Sequence, residues 1–318
     1  MSSGNWKKRP KRERLAFWIT SGIIALAAAV CGLITISGKM DKPFLPTWDE
    51  IFGMAGLTDQ GPLDSQLRVD ILDVGNADAI LVRSGEASLL IDAGENNDGD
   101  QVVDALRSRG VNRLDYAIAT HPDADHIGGM DVVMNKLTVD TFIMAFMPEG
   151  STPTTKTYLD LLEALTNKGI AVTEAEPGQS YALGEAQLEL IGPPAPSSDT
   201  NNNSVVCRVT YGSKRFLFMG DAEKEEENAL IAAGADLRAD FIKLGHHGSR
   251  SSSQKAFLEK VSPAYAAITC GAGNSYGHPH AETLQTLEDL QIAYTRSDLN
   301  GTVKLLCDGS RITVITEK

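Results

Sequence analysis

Four residues of types that bind metal ions fall within six positions of this sequence: His121, Asp123, Asp125 and His126. In an extended loop, side chains two positions apart point to the same side, so His121 and Asp123 can face one ion. Asp125 and His126 would then open a helix, where the helix dipole favours a carboxylate. A polar turn between a strand and a helix would also contain Asp, Pro and Gly. Because the chain holds only six His, this spacing favours a metal site over such a turn.

The segments on either side must position these ligands. Residues 114–120 form an apolar run of strand length before them, and residues 130–137 have the pattern of a short helix after them. Gly128 and Gly129 remove side-chain bulk, which allows another backbone segment to lie close to the site.

Two later strands supply further candidate ligands, which a centre with two metal ions would need. Residues 216–219 are an apolar strand followed by Gly and Asp221. An Asp at a strand end can bridge two cations, although Gly-Asp is also a common turn. Residues 241–244 form another apolar strand, which leads to His246 and His247. A His pair at this place favours a ligand over two exposed loop histidines.

The pattern of apolar runs predicts a globular domain over residues 67–318. A strand-rich part, a helix and a mixed part follow one another twice, which predicts two packed sheets with helices outside. The expected fold is α/β (α+β), a four-layer αββα sandwich. Predicted helices include residues 100–109, 155–167 and 222–233. The last is rich in Glu and is expected to present mostly a solvated face.

A single apolar segment precedes this domain. Residues 15–37 contain no charged side chain and are long enough to span a bilayer, and the basic residues 1–14 predict a cytoplasmic N-terminus. A cleaved signal peptide would have a shorter apolar core, and a lipoprotein site at Cys31 would need a small residue where Val30 stands. The pattern favours an uncleaved anchor over these readings and over a buried helix. Residues 38–66 are predicted to be a linker.

Charge and cysteine content restrict the partners and the compartment. The net charge is −13, and residues 1–37 carry six Lys or Arg and one Glu, so the remaining chain carries −18. An acidic domain does not attract polyanions over long range, which counts against non-specific nucleic-acid binding unless metal ions and a local basic patch compensate. Of the four Cys, Cys31 lies in the apolar N-terminal run, and Cys207, Cys270 and Cys307 lack C-x-x-C spacing. These three are predicted to pack as small hydrophobes rather than to form a disulfide framework, with at least one free thiol.

The His-Pro-Asp-Ala-Asp-His run, with a strand before it and a helix after it, resembles the signature of the metallo-β-lactamase fold. A narrower resemblance is to the extracytoplasmic hydrolase domain of ComEC-type DNA-uptake proteins and its stand-alone relatives. The other motifs that carry it, in the same order, are residues 70–80, 90–94, 202–206, 219–221, 246–249 and 276–280. The resemblance does not extend to the uptake channel, because the chain has one apolar span.

The resemblance implies two divalent metal ions, Zn²⁺ or Mn²⁺, and a role for each matching residue. The implied metal ligands are His121 and Asp123 for one ion, Asp125, His126 and His246 for the other, and Asp221 as the bridge. The implied catalytic residues are Asp125, His247 and His278, with His247 as a substrate contact or proton donor. The predicted substrate contacts are Asn203, Ser204, Ser249, Tyr276 and His278, whose side chains can bind anionic oxygens; for Ser249, a Ser-rich loop without this role is an equal alternative. Asp73, Asn76 and Asp78 are expected to shape a tight turn rather than to ligate.

Two departures from the lactamase pattern affect the metal. Asp123 stands where many members have a second His, and the third His of the first site has no match, since Asn203 and Ser204 lie near its place. Harder ligands shift preference from Zn²⁺ toward Mn²⁺ or Mg²⁺ and would leave the first site weakly occupied. Zn²⁺ with loose coordination is the alternative.

These expectations combine into a membrane-anchored, extracytoplasmic hydrolase that cuts a phosphodiester in DNA or in a smaller phosphate ester. Two adjacent cations lower the pKa of a shared water and neutralise charge in the transition state. β-Lactam hydrolysis is disfavoured because the ligand set departs from that of lactamases. A non-catalytic accessory protein of DNA uptake or of the cell envelope would keep the fold without needing metal. The sequence does not indicate an oligomeric state.

Overall fold

The computed structural model describes residues 30–35, 37, 45 and 67–318. The chain divides into two compact units, residues 1–60 with 108–110 and residues 61–107 with 111–318. In the first unit, residues 30–35 are helical. Among the residues described, none of the helices is long and apolar enough to cross a membrane. The predicted tail at residues 1–14, and most of the predicted anchor at 15–37 and linker at 38–66, lie outside the described residues.

The second unit contains two sheets, flanked by helices. Its strands, in chain order, are β1 (Leu67–Ile71), β2 (Ile80–Ser84), β3 (Ala87–Ile91), β4 (Arg113–Ala119), β5 (Thr138–Met144), β6 (Val172–Glu174), β7 (Ser180–Leu183), β8 (Ala186–Leu190), β9 (Cys207–Tyr211), β10 (Lys214–Phe218), β11 (Phe241–Lys243), β12 (Tyr265–Ile268), β13 (Ala293–Arg296), β14 (Val303–Cys307) and β15 (Ile312–Thr316). Its helices are α1 (Gly99–Ser108), α2 (Ala124–Ile127), α3 (Met130–Lys136), α4 (Lys156–Lys168), α5 (Lys224–Ala232), α6 (Lys255–Val261), α7 (Ala281–Asp289) and α8 (Ser297–Asn300). Two 3-10 turns lie at Asn201–Asn203 and Gly245–Gly248.

Each sheet combines an antiparallel part with a parallel part. The eight-stranded sheet has the order β15-β14-β1-β2-β3-β4-β5-β6, and the seven-stranded sheet has the order β13-β12-β11-β10-β9-β8-β7. Strands β3 to β6 are mutually parallel, as are β10 to β13, and the other neighbours are antiparallel. The carboxyl ends of the strands in each parallel part therefore lie at one edge of their sheet.

Three apolar clusters separate four layers. Alternate side chains of one strand point to opposite faces of its sheet. In β3, for example, Leu89 and Ile91 join the cluster between the two sheets, and Leu90 packs under the helices on the outer face. In β10, Phe216 joins the central cluster and Leu217 packs under the helices of the other outer face. The predicted four-layer αββα sandwich is confirmed.

Local signals predicted the ends of α1 and α4 to within one residue and those of α5 to within two. For α4, Thr155 Oγ1 accepts a hydrogen bond from Tyr158 N at 3.3 Å, and Gly169 ends the helix in the left-handed region with a φ of 67°. Strand β7 and helix α8, of four residues each, were not predicted. Cys207, Cys270 and Cys307 are buried free thiols, as predicted.

Candidate metal centre

The loops that carry the candidate ligands leave the carboxyl ends of parallel strands. Asp92 follows β3, and residues 121–126 follow β4, which is paired in parallel with β3. In the other sheet, Asp221 follows β10, and the turn Gly245–Gly248 follows its parallel neighbour β11. Open α/β sheets form ligand sites at such strand ends. The topology thus explains how segments more than a hundred residues apart supply one site.

Two glycines allow the first ligand loop to pack against the β3–α1 connection. A Cβ atom at Gly128 would lie 2.2 Å from Asn96 N, and one at Gly129 would lie 2.3 Å from Ala93 O. Ala93 N also donates a hydrogen bond to His126 O at 2.8 Å. The predicted close approach of backbone at this position is confirmed.

Four side chains form a compact group of possible metal ligands: Asp125, His126, Asp221 and His247. One ligand atom from each lies within 4.8 Å of the others. His126 Nε2 is 3.2 Å from Asp221 Oδ1, while His247 Nε2 is 3.5 Å from Asp221 Oδ2 and 3.3 Å from Asp125 Oδ2. The Asp221 carboxylate therefore lies between two imidazoles.

The atoms that face this group are suited to a cation. His126 Nε2, His247 Nε2 and Asp221 Oδ1 are buried, and they have no hydrogen-bond partner within the described part of the chain. Leaving buried polar atoms unsatisfied costs about 1–3 kcal/mol each, so such a concentration calls for a ligand. Two imidazoles and two carboxylates are a donor set that Zn²⁺ and Mn²⁺ accept. The residues present therefore fit a divalent metal ion.

The Nδ1 atoms of His126 and His247, on the side of each ring away from Asp221, also have polar partners. His126 Nδ1 lies 2.7 Å from Asp92 Oδ2, and His247 Nδ1 donates to Thr269 O at 2.9 Å. Asp92 is fully buried and also accepts hydrogen bonds from Thr120 N at 2.8 Å and Thr120 Oγ1 at 2.7 Å. Partners of this kind set the tautomer and direction of a metal-binding imidazole. Asp92 lies in the motif at residues 90–94, for which no role in the site was predicted.

A buried ion pair lies next to the same group. Lys243, which is fully buried, pairs with Asp78 and donates to Gly220 O at 3.1 Å. Thr269 Oγ1 donates to the other Asp78 oxygen at 2.5 Å. Lys243 Nζ is 3.9 Å from Asp221 Oδ1, so its charge also compensates that carboxylate. Asp78 was predicted only to shape a turn. The sequence feature that points to its ion pair is Lys243, a charged residue within the otherwise apolar run of β11.

The side-chain positions of the two adjacent histidines favour His247, rather than the predicted His246, as the candidate metal ligand. His247 is buried and belongs to the metal-ligand group, whereas the His246 side chain is 24% exposed. His246 Nδ1 lies 2.7 Å from Glu223 Oε1, and its Nε2 is 3.9 Å from Asp221 Oδ2. Both residues have positive φ values, 45° and 51°, so strand alternation does not continue into this turn.

His121 and Asp123 lie beside the group but contribute fewer ligands. The His121 ring is 4.1 Å from the His126 ring, and its buried Nε2 has no hydrogen-bond partner among the described residues. Asp123 Oδ2 is 3.9 Å from His121 Nε2, and the Asp123 side chain is 46% exposed. Ser204, near the predicted place of the missing third ligand, accepts a hydrogen bond from Asp221 N at 3.1 Å through its Oγ. These residues form a smaller ligand set than the group around His247.

The predicted substrate contacts differ in how accessible they are. Asn203 is buried, accepts from Ser197 N at 3.0 Å and donates to Phe146 O at 2.9 Å, so its side chain holds a loop. Ser204 is also fully buried, and these burials argue against direct substrate contact by either residue. Ser249 Oγ lies 2.8 Å from Ser251 Oγ.

His278 and Tyr276 lie on the side of the His pair. The His278 ring is 5.3 Å from the His246 ring and 6.1 Å from the His247 ring. Burial, together with the charges of His247 and His246, lowers the pKa of His278 to about 4, so its ring is neutral at physiological pH. Tyr276 is 67% exposed and stacks on His278.

Helix α5 packs two glutamates inward, contrary to the predicted solvated face. Glu226 Oε2 accepts from Ser204 N at 3.2 Å, and Glu226 N donates to Asn202 Oδ1 at 3.1 Å. The Glu227 carboxylate accepts hydrogen bonds from the backbone N–H groups of Ser253 and Gln254. One helix therefore fixes two loops beside the candidate ligands. The two glutamates are buried, rather than solvated as predicted, because both loops need acceptors for buried N–H groups.

Neighbouring charges keep the two carboxylates of the ligand group ionised, which is their metal-binding form. Burial raises the pKa of Asp221, but His126 and His247 lower it further, so it lies well below its usual range. Burial likewise opposes ionisation of Asp125, while the His247 ring, whose Nε2 is 3.3 Å from Asp125 Oδ2, and the charge of His126 lower its pKa to about 2. Burial lowers the pKa of His121 well below its usual value, which keeps that ring neutral. Burial opposes protonation of His126 and His247, but the nearby carboxylates raise both pKa values above the usual one. Because a neutral imidazole is the form that binds metal, these two rings would release a proton when a metal ion binds.

Residues 72–271 match the model of the Metallo-beta-lactamase superfamily. The chain is similar to ComE operon protein 3 from Bacillus subtilis (strain 168), with 30% identity over 261 residues, covering 76% of this chain and 33% of that protein. It is also similar to Competence protein ComA from Neisseria gonorrhoeae, with 30% identity over 244 residues, covering 76% of this chain and 32% of that protein. The chain spans about a third of the length of these relatives.

Solved structures are also similar to the chain. CmlA, a diiron beta-hydroxylase from Streptomyces venezuelae, matches with a TM-score of 0.49 and 13% sequence identity, covering 78% of this chain and 58% of that chain. A likeness at this level says nothing about activity.

Replacing Asp92 should weaken metal binding without removing a ligand. In Asp92→Asn, the amide no longer supplies a carboxylate to His126 Nδ1, so the imidazole loses its orientation and basicity. We expect affinity for Mn²⁺ or Zn²⁺ to fall about 10- to 100-fold. Competition with a fluorescent chelator measures this change. Asp140→Asn, which alters an exposed ion pair with Arg113, is the control and should leave the affinity unchanged. Equal affinities in Asp92→Asn and wild type would contradict the role given to Asp92.

Two substitutions of Glu226 should separate the effect of its titration on stability from the effect of its hydrogen bond to Ser204 N. Burial raises the pKa of Glu226 well above its ordinary value of 4.5. The folded state therefore retains a proton that the unfolded state loses, and wild-type stability falls as pH rises above that value toward the folded-state pKa. Glu226→Gln keeps an acceptor for Ser204 N but has no group that titrates at this position. The free energy of unfolding of Glu226→Gln, measured relative to wild type, should therefore increase from about pH 5 to about pH 8.

The matched variant Glu226→Ala leaves Ser204 N without its acceptor. We expect it to unfold about 1–3 kcal/mol more easily than Glu226→Gln at either pH. Urea denaturation followed by circular dichroism measures both comparisons. A Gln variant as unstable as the Ala variant would show that the hydrogen bond is unimportant.

Proposed function

This chain belongs to the metallo-beta-lactamase superfamily, whose fold is that of metal-dependent hydrolases, and we propose that it is a phosphodiesterase acting on DNA or on a smaller phosphate ester. The observation that carries the proposal is the ligand group of Asp125, His126, Asp221 and His247, with its buried, unpaired nitrogen and oxygen atoms. A phosphodiester suits such a site because its anionic oxygens would lie beside cations rather than beside the surrounding carboxylates.

We assign the ligands from these positions. Asp125, His126, Asp221 and His247 would hold one divalent cation, and His121 with Asp123 would hold a second, with Asp221 shared. The second set offers fewer atoms, and the Asp123 side chain is 46% exposed, so we expect the second ion to bind more weakly. Because half of the combined donors are carboxylates, Mn²⁺ is our favoured metal and Zn²⁺ the alternative.

The chain's own residues would orient the reacting groups. When bound, divalent cations polarise a phosphoryl oxygen and lower the pKa of water. Asp92 and Thr269 hold the rings of His126 and His247, so their Nε2 atoms point toward Asp221. The neutral ring of His278 lies beside the His pair, and we assign to its N–H the hydrogen bond to the leaving oxygen of the substrate. His246, held by Glu223, is a second candidate substrate contact.

DNA is the favoured substrate because of the relatives. One similar protein is named a competence protein, and another, Recombination protein 2 of Haemophilus influenzae, is 26% identical over 244 residues. The charge of −18 outside residues 1–37 does not favour long-range attraction of DNA. Cations at the site would therefore have to supply much of the local positive charge.

The decisive experiment compares two adjacent histidines. The purified full chain would be stripped of metal and assayed with Mn²⁺, with Zn²⁺ or with chelator, on labelled single-stranded DNA and on bis(p-nitrophenyl) phosphate. We expect His247→Ala to lower hydrolysis about 100-fold or more, because a ligand is lost. His246→Ala is the matched control, and we expect it to keep its metal and to lose about 10-fold or less.

The outcomes separate the alternatives. Loss of metal in His246→Ala rather than in His247→Ala would reverse the ligand assignment. Hydrolysis of neither substrate by metal-loaded wild type would reject the phosphodiesterase and favour a non-catalytic accessory role. Elemental analysis after low-metal purification tests the metal, and zinc alone at two equivalents would contradict the preference for manganese.

We also propose that residues 15–37 anchor the chain in the cell membrane, with the catalytic domain on the extracytoplasmic side. The support is the uncharged apolar run behind a basic flank. The full chain should stay with membranes after an alkaline carbonate wash and be digested by protease added to spheroplasts. A chain that is washed off, or that resists protease until lysis, would contradict this topology.

A further inference from the structure

An exposed aromatic ring lies next to the candidate metal centre. Tyr276, in the connection between β12 and α7, is 67% exposed, whereas the other six tyrosines, which all lie in the described part of the chain, are buried or half-buried. Its neighbours in the connection include His278 and His280. Its exposed ring offers a free face on which another flat group can stack.

The ring forms the outer end of an aromatic stack that begins at a metal-ligand candidate. The rings of Tyr276 and His278 are 5.6 Å apart and inclined by only 21°. The rings of His278 and His247 are 6.1 Å apart and inclined by 26°. The Tyr276 ring is thus two ring-to-ring steps from His247. A group stacked on it would lie close to a phosphate held at the metal centre.

The connection is fixed by its own hydrogen bonds. Asn274 Nδ2 donates to Gly271 O at 2.9 Å and to His278 O at 2.6 Å, and Asn274 Oδ1 accepts from His278 N at 2.9 Å. Gly277, with a φ of 77°, makes the turn between the two stacked rings. A ring held in place before binding loses little conformational entropy when a ligand stacks on it.

Positively charged side chains near Tyr276 contribute little to holding a nucleic acid. Arg250 is a cation close to this connection, since its N donates to His280 Nδ1 at 3.1 Å. Its guanidinium is 3.4 Å from Glu282 Oε1, so the charge is partly compensated. The domain as a whole is acidic. Stacking of bases on aromatic rings, in contrast, does not require net positive charge and tolerates any base sequence.

We infer that Tyr276 is a stacking platform for a nucleobase of the substrate, adjacent to the phosphodiester held at the metal centre. This inference rests on the proposed phosphodiesterase function and narrows its substrate to nucleic acid with unpaired bases. A base within a duplex already stacks on its neighbours and does not present a free face to the ring. The ring face, rather than the hydroxyl group, is the part of Tyr276 that binds.

The test compares three substitutions on two single-stranded oligonucleotides of equal length, one normal and one abasic throughout. For Tyr276→Ala, we expect KM on the normal strand to rise about 5- to 150-fold, with little change in kcat, and KM on the abasic strand to stay within about twofold. Tyr276→Phe and Tyr276→Trp should retain the wild-type KM, since both keep a ring. Leu159→Ala, at a residue of α4 that is 52% exposed, is the surface control.

Three results would overturn the inference. These are an unchanged KM in Tyr276→Ala, an equal loss on the abasic strand, and a Phe variant as weak as the Ala variant, which would assign the contact to the hydroxyl group. If wild type hydrolyses neither strand, the proposed function fails. Binding of the two strands, measured by fluorescence anisotropy, then tests whether Tyr276 stacks on a base. Tighter binding of the normal strand than of the abasic strand, lost only in Tyr276→Ala, would support the platform, and equal binding would reject it.

Discussion

A buried carboxylate needs compensating charge, and Asp221 is such a carboxylate in the candidate metal centre. Its oxygens lie 3.2 Å from His126 Nε2 and 3.5 Å from His247 Nε2, and Lys243 Nζ is 3.9 Å away. Removing one partner from a buried charged group leaves the others uncompensated and costs several kcal/mol. The three partners come from both sheets. The electrostatic needs of one side chain therefore couple the packing of the two sheets to the geometry of the site.

A second layer of polar contacts keeps these groups in place. Asp92 and Thr269 bind the outer nitrogens of the two rings, and Asp78 links Thr269 to Lys243. The layer is buried, so each of its hydrogen bonds matters more than one at the surface. Three apolar clusters provide the rigid support, and the glutamates of α5 fix the loops beside it. A site built on strand ends can hold its geometry even though the ligands lie in loops.

The acidic character of the domain and the proposed anionic substrate are compatible for a physical reason. Long-range attraction depends on the summed charge, whereas binding at the site depends on local groups. Cations held by Asp125, Asp221 and their neighbours would reverse the local potential. Stacking on Tyr276 would add affinity that is independent of charge. On this view a negative surface slows encounter with a polyanion without preventing a specific complex.

Local features of the sequence determined a large part of this picture. The strand, ligand run and helix at residues 114–137 could be read directly, because apolar periodicity and ligand density are local properties. The caps of α4 set its bounds for the same reason, since Thr155 and Gly169 act within one helical turn. The alternation of strands and helices was sufficient to predict the four-layer sandwich.

Only the tertiary structure decided which side chains meet. His247 rather than His246 faces Asp221, because positive φ values at both residues end the alternation that a strand would impose. Asp92 and Lys243 acquire their roles through the parallel pairing of β3 with β4 and of β10 with β11, which joins segments remote in sequence. Glu226 is buried because a distant loop needs an acceptor. Side-chain direction in irregular turns and the burial of charge depend on such distant partners, which no local pattern records.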